Sequence, residues 1–175
     1  MEITYFDGAE RDPRLEVELL TLSPYLPEGG HYFDGLHFDE RGLVLVFRDG
    51  DHLRPRTYEM QVVFSGAFDG LRVTPLSVFQ DDKLMLLAEK AGVSRPGFWA
   101  FSCRYTNYFN WCLQQFLNGE DLAAHGRHYI LAAADQLVEV FSAQPPRVFF
   151  TGFGMDLPEA EEHVYPSRDI LYNLP

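Results

Sequence analysis

The stretch His31-Tyr32-Phe33-Asp34-Gly35-Leu36-His37-Phe38-Asp39-Glu40-Arg41-Gly42-Leu43-Val44-Leu45-Val46-Phe47-Arg48-Asp49-Gly50 decides the fold. Two runs rich in aromatic and β-branched residues, His31 to Phe38 and Leu43 to Arg48, flank Asp39-Glu40-Arg41-Gly42, a connection of hairpin length that ends on a glycine. Leu43 to Phe47 is apolar at every position, so both of its faces need cover and the strand belongs at the centre of a sheet. Asp-Gly pairs recur at Asp7-Gly8, Asp34-Gly35, Asp49-Gly50 and Asp69-Gly70, and both residue types tolerate the positive φ of tight turns. Phe6, Phe33 and Phe68 precede three of them, and the resulting triplets read as aromatic strand ends running into turns.

Working outward, Leu15, Val17 and Leu19 alternate with Glu16 and Glu18, which predicts a strand over 15–22 with its acids in water. Thr57 to Ser65 places Tyr58, Met60, Val62 and Phe64 on one side, and Phe68 to Phe79 reads as further strand bent at Asp69-Gly70 and at Pro75. The first half is therefore expected to be a meander. After Asp81-Asp82 the period changes, with Leu84, Leu87, Ala88 and Ala91 at helical offsets before Gly92. Phe98 to Tyr105 returns to strand, and Thr106 or Asn107 caps a second helix over 108–117, with Phe109, Cys112, Leu113, Phe116 and Leu117 as its buried stripe. Asn118-Gly119 stops that helix. His128 to Ala134 and Leu137 to Ser142 read as a hairpin turning at Asp135-Gln136, followed by a short strand from Arg147 to Thr151 and an irregular tail from about residue 155. The expected fold is α+β. One domain spans 1–175, built on a mostly antiparallel, twisted, barrel-like sheet of about seven to nine strands with two short helices on one face.

Composition narrows the function classes. A chain of 175 residues is long enough to bury roughly 70% of its unfolded surface in one core. Its 15 Phe and 9 Tyr suit pleated surfaces. The 26 acidic and 14 basic residues leave a net charge of -12, which opposes nucleic acid and favours a basic protein partner. Cys103 and Cys112 are too few for a disulfide framework, Met1-Glu2-Ile3-Thr4-Tyr5 is unlike a signal peptide, and no apolar run is long enough for a membrane span. A cytoplasmic protein is expected.

No motif writes a reaction. His125 and His128 are three apart, but Gly126 interrupts them and no further ligand lies near, so neither metal nor cofactor is expected. His31, His37 and His52 could meet Asp34 and Asp39 only through the fold. Cys103 and Cys112 fall on apolar stripes, where a buried thiol is inert. The acidic pairs Asp39-Glu40, Asp81-Asp82 and Glu120-Asp121 and the run from Glu159 to Glu162 are explained by solvated loops. Gly152-Phe153-Gly154 lacks the helix start and lysine of a phosphate cradle. Tyr108 and Trp111 share a helix face, and Tyr129 starts the strand on which they could rest, either as a clamp of helix to sheet or as an aromatic binding patch.

Residues 98–150, through Asn107-Tyr108-Phe109-Asn110-Trp111, His128-Tyr129-Ile130, Val138-Glu139-Val140 and Pro145-Pro146, resemble the C-terminal half of small uncharacterised bacterial α+β proteins. Some of those look like immunity proteins of toxin systems, which act by covering a toxin, and the resemblance brings no catalytic residues. The expectation is a non-enzymatic interaction protein that meets a basic partner through Glu16, Glu18, Asp39, Glu40, Asp49 and Asp51. Its rivals are a small-molecule binding module with an aromatic cavity at Tyr108, Trp111 and Tyr129, and a hydrolase built on the histidines.

Overall fold

A computed structural model describes residues 12–20, 31–49, 58–65, 70–75, 81–93, 99–115, 119–152 and 162–164 of the chain. In order, the elements are β1 (Glu16–Leu19), β2 (His31–Asp39), β3 (Gly42–Asp49), β4 (Tyr58–Phe64), β5 (Gly70–Pro75), α1 (Asp81–Lys90), β6 (Trp99–Arg104), α2 (Asn107–Gln115), α3 (Gly119–His125), β7 (Arg127–Ala132), β8 (Gln136–Ser142), β9 (Arg147–Gly152) and β10 (Glu162–Val164). They form two five-stranded sheets, ordered β1-β6-β7-β8-β5 and β10-β9-β4-β3-β2, and every pairing is antiparallel.

The α+β class and the antiparallel pairing expected from the sequence are present, but the single barrel-like sheet is not. The strands divide between two open sheets, because β1 and β5 leave the β2-β3-β4 meander for opposite edges of the other sheet. Leu43, Leu45, Phe47, Met60, Val62, Phe64 and Val148 on the second sheet pack against Ala100, Tyr129, Leu131, Val138 and Val140 on the first. Each sheet turns an apolar face toward the other, and stacking the two faces dries both. Phe64 and Tyr129 meet across the interface with ring centroids 5.2 Å apart.

The other face of the first sheet is also apolar and lies under the helices. Leu84, Leu87 and Ala88 of α1 cover Phe101, Cys103, Ile130, Ala132 and Leu137. Tyr108, Phe109 and Cys112 of α2 cover Phe141. The short helix α3 is an addition to the two expected. It begins at Gly119, in the Asn118-Gly119 pair read as a stop, and Arg104 ties it down by donating to the Ala123 carbonyl at 2.5 Å. The tail is not wholly irregular, since β10 pairs with β9.

The 31–50 stretch forms its hairpin at Asp39-Glu40-Arg41-Gly42, as its pattern predicts. Gly42 adopts φ 121° and lies so close to the Phe64 backbone that a side chain there would collide with it. Asp34-Gly35 makes no turn. It is a bulge inside β2, where the register shifts between Phe33 and Gly35, and Gly35 takes φ 155°. Asp7-Gly8, Gly50, Asp51, His52, Asp69 and residues 116–118 lie outside the described residues.

Phe64 and Phe38 lie on one sheet with opposite consequences, since Phe64 is fully buried and Phe38 is exposed. Phe64→Ala is expected to cost about 3–5 kcal/mol, while Phe38→Ala should stay within about 0.5 kcal/mol. Denaturant midpoints at equal m-values measure both.

Candidate functional site

Where α2 meets the first sheet, four side chains, those of Thr106, His128, Glu139 and Arg72, form a polar chain against the apolar layer. Tyr105 follows β6 at φ 59°, a left-handed conformation uncommon for a residue with a side chain, and this turns the backbone so that Thr106 precedes α2. The Thr106 hydroxyl accepts the Phe109 N–H at 3.0 Å, a helix N-cap. The same oxygen lies 2.8 Å from His128 Nδ1. On the far side of the ring, His128 Nε2 is 3.2 Å from Glu139 Oε1, in ion-pair range but off the line of a well-formed hydrogen bond. Arg72 then grips Glu139 with two donors, Nε and Nη2, each at 2.5 Å.

The strand registers place these groups. Arg72 is opposite Glu139 in the β5–β8 pair, and His128 and Glu139 lie on neighbouring strands with side chains on the helix-facing side. Thr106, His128 and Glu139 are buried, so their partners must come from the protein. Tyr108 roofs the chain. Its ring is 4.4 Å from the Arg72 guanidinium carbon and 4.9 Å from the His128 ring centroid. Burial, then the nearby Cys112 thiol, pushes the Tyr108 phenol up from its ordinary value.

Burial acts to raise the pKa of Glu139, but the adjacent His128 ring and the two hydrogen bonds from Arg72 outweigh it and hold the carboxyl below its usual 4.5. The protonation pattern that satisfies this chain has the Thr106 hydroxyl donating to Nδ1 and the Nε2 hydrogen facing Glu139. A hydroxyl, an imidazole and a carboxylate in line follow the order of a nucleophilic triad. Here the hydroxyl is already the cap of α2 and is buried, so the chain fastens α2, β5, β7 and β8 together.

The other sequence-derived candidates scatter. Tyr108 and Trp111 stack with centroids 5.8 Å apart, and Trp111 keeps 37% exposure instead of completing a buried clamp. Tyr129 points into the sandwich against Phe64, on the opposite face of the sheet, so the three aromatics line no common cavity. Glu16 and Glu18 lie on β1, where Glu16 is 3.6 Å from Arg127 and Glu18 acts on the Tyr129 phenol. The alternation expected for 15–22 holds at Leu15, Glu16 and Val17, which are buried, exposed and packed on the core, and fails at the end of β1, where Leu19 is exposed and Glu18 half-buried. Asp39 and Glu40 lie at the β2–β3 turn of the other sheet, and Asp49 ends β3. A hydrogen bond from Arg41, at 2.6 Å from Nη2, holds the Asp39 carboxyl below its usual range. His125 ends α3, exposed, whereas His128 is buried in β7. Among the described residues no group of three or more His, Cys, Asp or Glu could hold a metal ion, and no helix is long and apolar enough to cross a membrane. Cys103 and Cys112 are free and buried.

Sequence reasoning treats Thr106 only as a cap candidate, and misses Glu139 and Arg72. Val138-Glu139-Val140 holds the signal, because a carboxylate within a buried strand must find a partner. No family model, curated protein or solved structure matches this chain.

A carboxylate whose folded pKa lies below its unfolded value adds stability above the unfolded value and loses it as pH falls through the folded one. Glu139 should therefore stabilise the fold fully at neutral pH, begin to lose that contribution as pH falls below 4.5, and lose it entirely once pH has passed through its lowered folded value. Glu139→Ala leaves Arg72 and His128 facing each other and is expected to cost about 3–5 kcal/mol at neutral pH. Wild-type and variant stabilities should converge in acid, as urea titrations at a series of pH values would show.

Proposed function

We propose that this chain is a non-enzymatic interaction protein that binds a basic protein partner, with the end of the β2–β3 hairpin as the contact. The observation that carries this reading is the exposure of the core-facing side of β2. Leu36 and Phe38 are paired with Leu45 and Leu43, so their side chains lie on the face that elsewhere forms the sandwich core, yet they remain 38% and 61% exposed. A large exposed apolar pair on an otherwise buried face is the pattern of a binding surface.

Glu40, next to this pair, is exposed in the hairpin turn, whereas Asp39, held by Arg41, and Asp34, 2.9 Å from Arg48, belong to the outer face of the sheet. A net charge of -12 supplies a long-range field that draws cations. Apolar pair and acidic field together suit a cationic partner that also buries an apolar side chain. Occluding a basic partner would need no chemistry of this chain's own, in keeping with the immunity-like resemblance of residues 98–150, and a cytoplasmic setting fits the same role. Glu16 and Glu18, engaged on the other sheet, are left out of the contact.

Capture from cells that express the protein should yield a basic partner whose association slows about tenfold or more as salt rises well above 0.1 M. Phe38→Ser should weaken the complex by at least about tenfold, the loss of a central apolar anchor. Glu40→Lys should slow association with little change in thermal stability. A captured partner that binds both variants like the wild type, at rates indifferent to salt, rules this reading out.

A further inference from the structure

We infer that α2 is an acid-released flap: one proton taken up at Glu139 frees this helix from the first sheet, hinged at Tyr105, while the sandwich of the two sheets stays folded. The flap operates without a partner.

α2 is seated in an apolar cluster of its own. Tyr108, Phe109 and Cys112 cover Phe141, with Tyr105, Leu113 and Leu122 at the margin, and among the described residues none of these belongs to the sandwich core or to the cluster under α1. An element held by a small separate cluster opens at a lower free energy than the whole molecule. Opening it leaves β8 in place, because Val138 and Val140 alternate with Glu139 and Phe141 and point the other way, into the sandwich. Arg104 ties α3 down separately, through the Ala123 carbonyl.

Two polar attachments hold α2, and both end on Glu139. Thr106 caps the helix and is bonded to His128, whose other ring nitrogen faces the carboxylate. Tyr108 rests its ring on the Arg72 guanidinium, which Glu139 holds through two hydrogen bonds. Gly70 on β5 permits this close seat, since a Cβ there would lie 2.8 Å from the Tyr108 hydroxyl and 3.3 Å from the Cys112 sulfur.

Charged and titratable groups reach Glu139 from three elements: Arg72 from β5, His128 from β7, and Tyr108 from α2 with the Cys112 thiol beside its phenol. Protonating the carboxyl leaves the guanidinium without its counter-charge. Such a group gains most by turning toward water, and in doing so it leaves the ring it supports. His128 at the same time loses the group that orients it toward Thr106. Backbone strain favours the same motion, because the left-handed conformation of Tyr105 persists only where its surroundings impose it, and a freed α2 lets it relax. The carboxyl titrates near 4.5 when exposed and lower when α2 is docked, so the open fraction should rise about tenfold per pH unit below 4.5 until the docked value is passed.

Dithiodipyridine, a thiol reagent that works in acid, reads the opening, because Cys112 lies on the buried face of α2 and Cys103 lies under α1. Peptide-resolved labelling of the wild-type protein from about pH 6 to about pH 3 gives the ratio of the two rates, which cancels the reagent's own pH dependence. Cys112 should gain at least about tenfold on Cys103 across that range, while the amides of β3 and β4 keep their protection from hydrogen exchange. Glu139→Gln, which keeps the shape and removes the charge, should show the acid ratio at neutral pH and no further change on acidification. Cys103 reacting in step with Cys112, or β3 and β4 exchanging at the same pH, would overturn the flap in favour of global unfolding. A wild-type ratio that stays constant would overturn it too, as would a Glu139→Gln protein that labels like the wild type. Loss of β3 and β4 protection in Glu139→Gln at neutral pH would have the same force, since Glu139 would then hold the whole molecule.

Discussion

A carboxylate inside an apolar layer is tolerable only when its charge is answered on the spot, and Glu139 is answered from two directions. Arg72 reaches it from the edge strand β5 and His128 from the neighbouring strand β7. Without it the edge strand loses the side-chain tie that Arg72 makes to β8, while His128 loses the group that orients it toward Thr106. Thr106 in turn starts α2. One charge therefore sets the position of a strand, a histidine and a helix, and the apolar contacts of Tyr108, Phe109 and Cys112 with Phe141 follow from where that helix begins. Dispersion and burial supply most of the stability in such a layer, but they have no preferred direction. The polar chain provides the direction.

The second sheet solves a similar problem with exposed chemistry. Val44, Val46 and Val63 form an apolar floor on its outer face, with Phe149 packed against it. Above it Arg48 bridges Asp34 and Glu59, Gln61 links Glu59 to Arg41, and Arg41 returns to Asp39. Arg41 and Arg147 both lie over the Phe149 ring, at 5.7 and 5.5 Å. Long side chains can shield an apolar floor with their stems while their charged ends remain wet. The sheet thus needs no helical layer on that side.

Local pattern makes much of this legible. Leu43 to Phe47 announces a central strand, Asp39 to Gly42 its turn, and the Asp135-Gln136 break the hairpin that β7 and β8 form. Pairing between distant segments is hidden, because period-2 alternation states which face is apolar and does not state which sheet a strand joins. Hence β1 and β5 read as parts of the meander, although each pairs with a strand far along the chain. Asp34-Gly35 misleads for a related reason: the residues that permit a turn also permit a bulge, and only the register of the partner strand distinguishes them. The acidic residues offer least. Glu18 and Asp39 belong to the same residue class, yet one acts on a buried phenol and the other is held by an adjacent arginine.

The connectivity carries a kinetic consequence. Each sheet contains a run of three strands in chain order, β2-β3-β4 and β6-β7-β8; β2-β3 and β7-β8 zip up across tight turns, while β6 reaches β7 only after α2 and α3. Of the remaining pairings β9 with β10 is local, whereas β1 with β6, β5 with β8 and β4 with β9 join segments separated by much of the chain and enclose one another's loops. Loop closure entropy is met before such pairings return any energy, so folding should be slow for a chain of this size and should pass through two preassembled triplets. During that interval the apolar faces destined for the sandwich are uncovered, and docking of triplet on triplet, with Phe64 against Tyr129, is the step that ends the risk of aggregation.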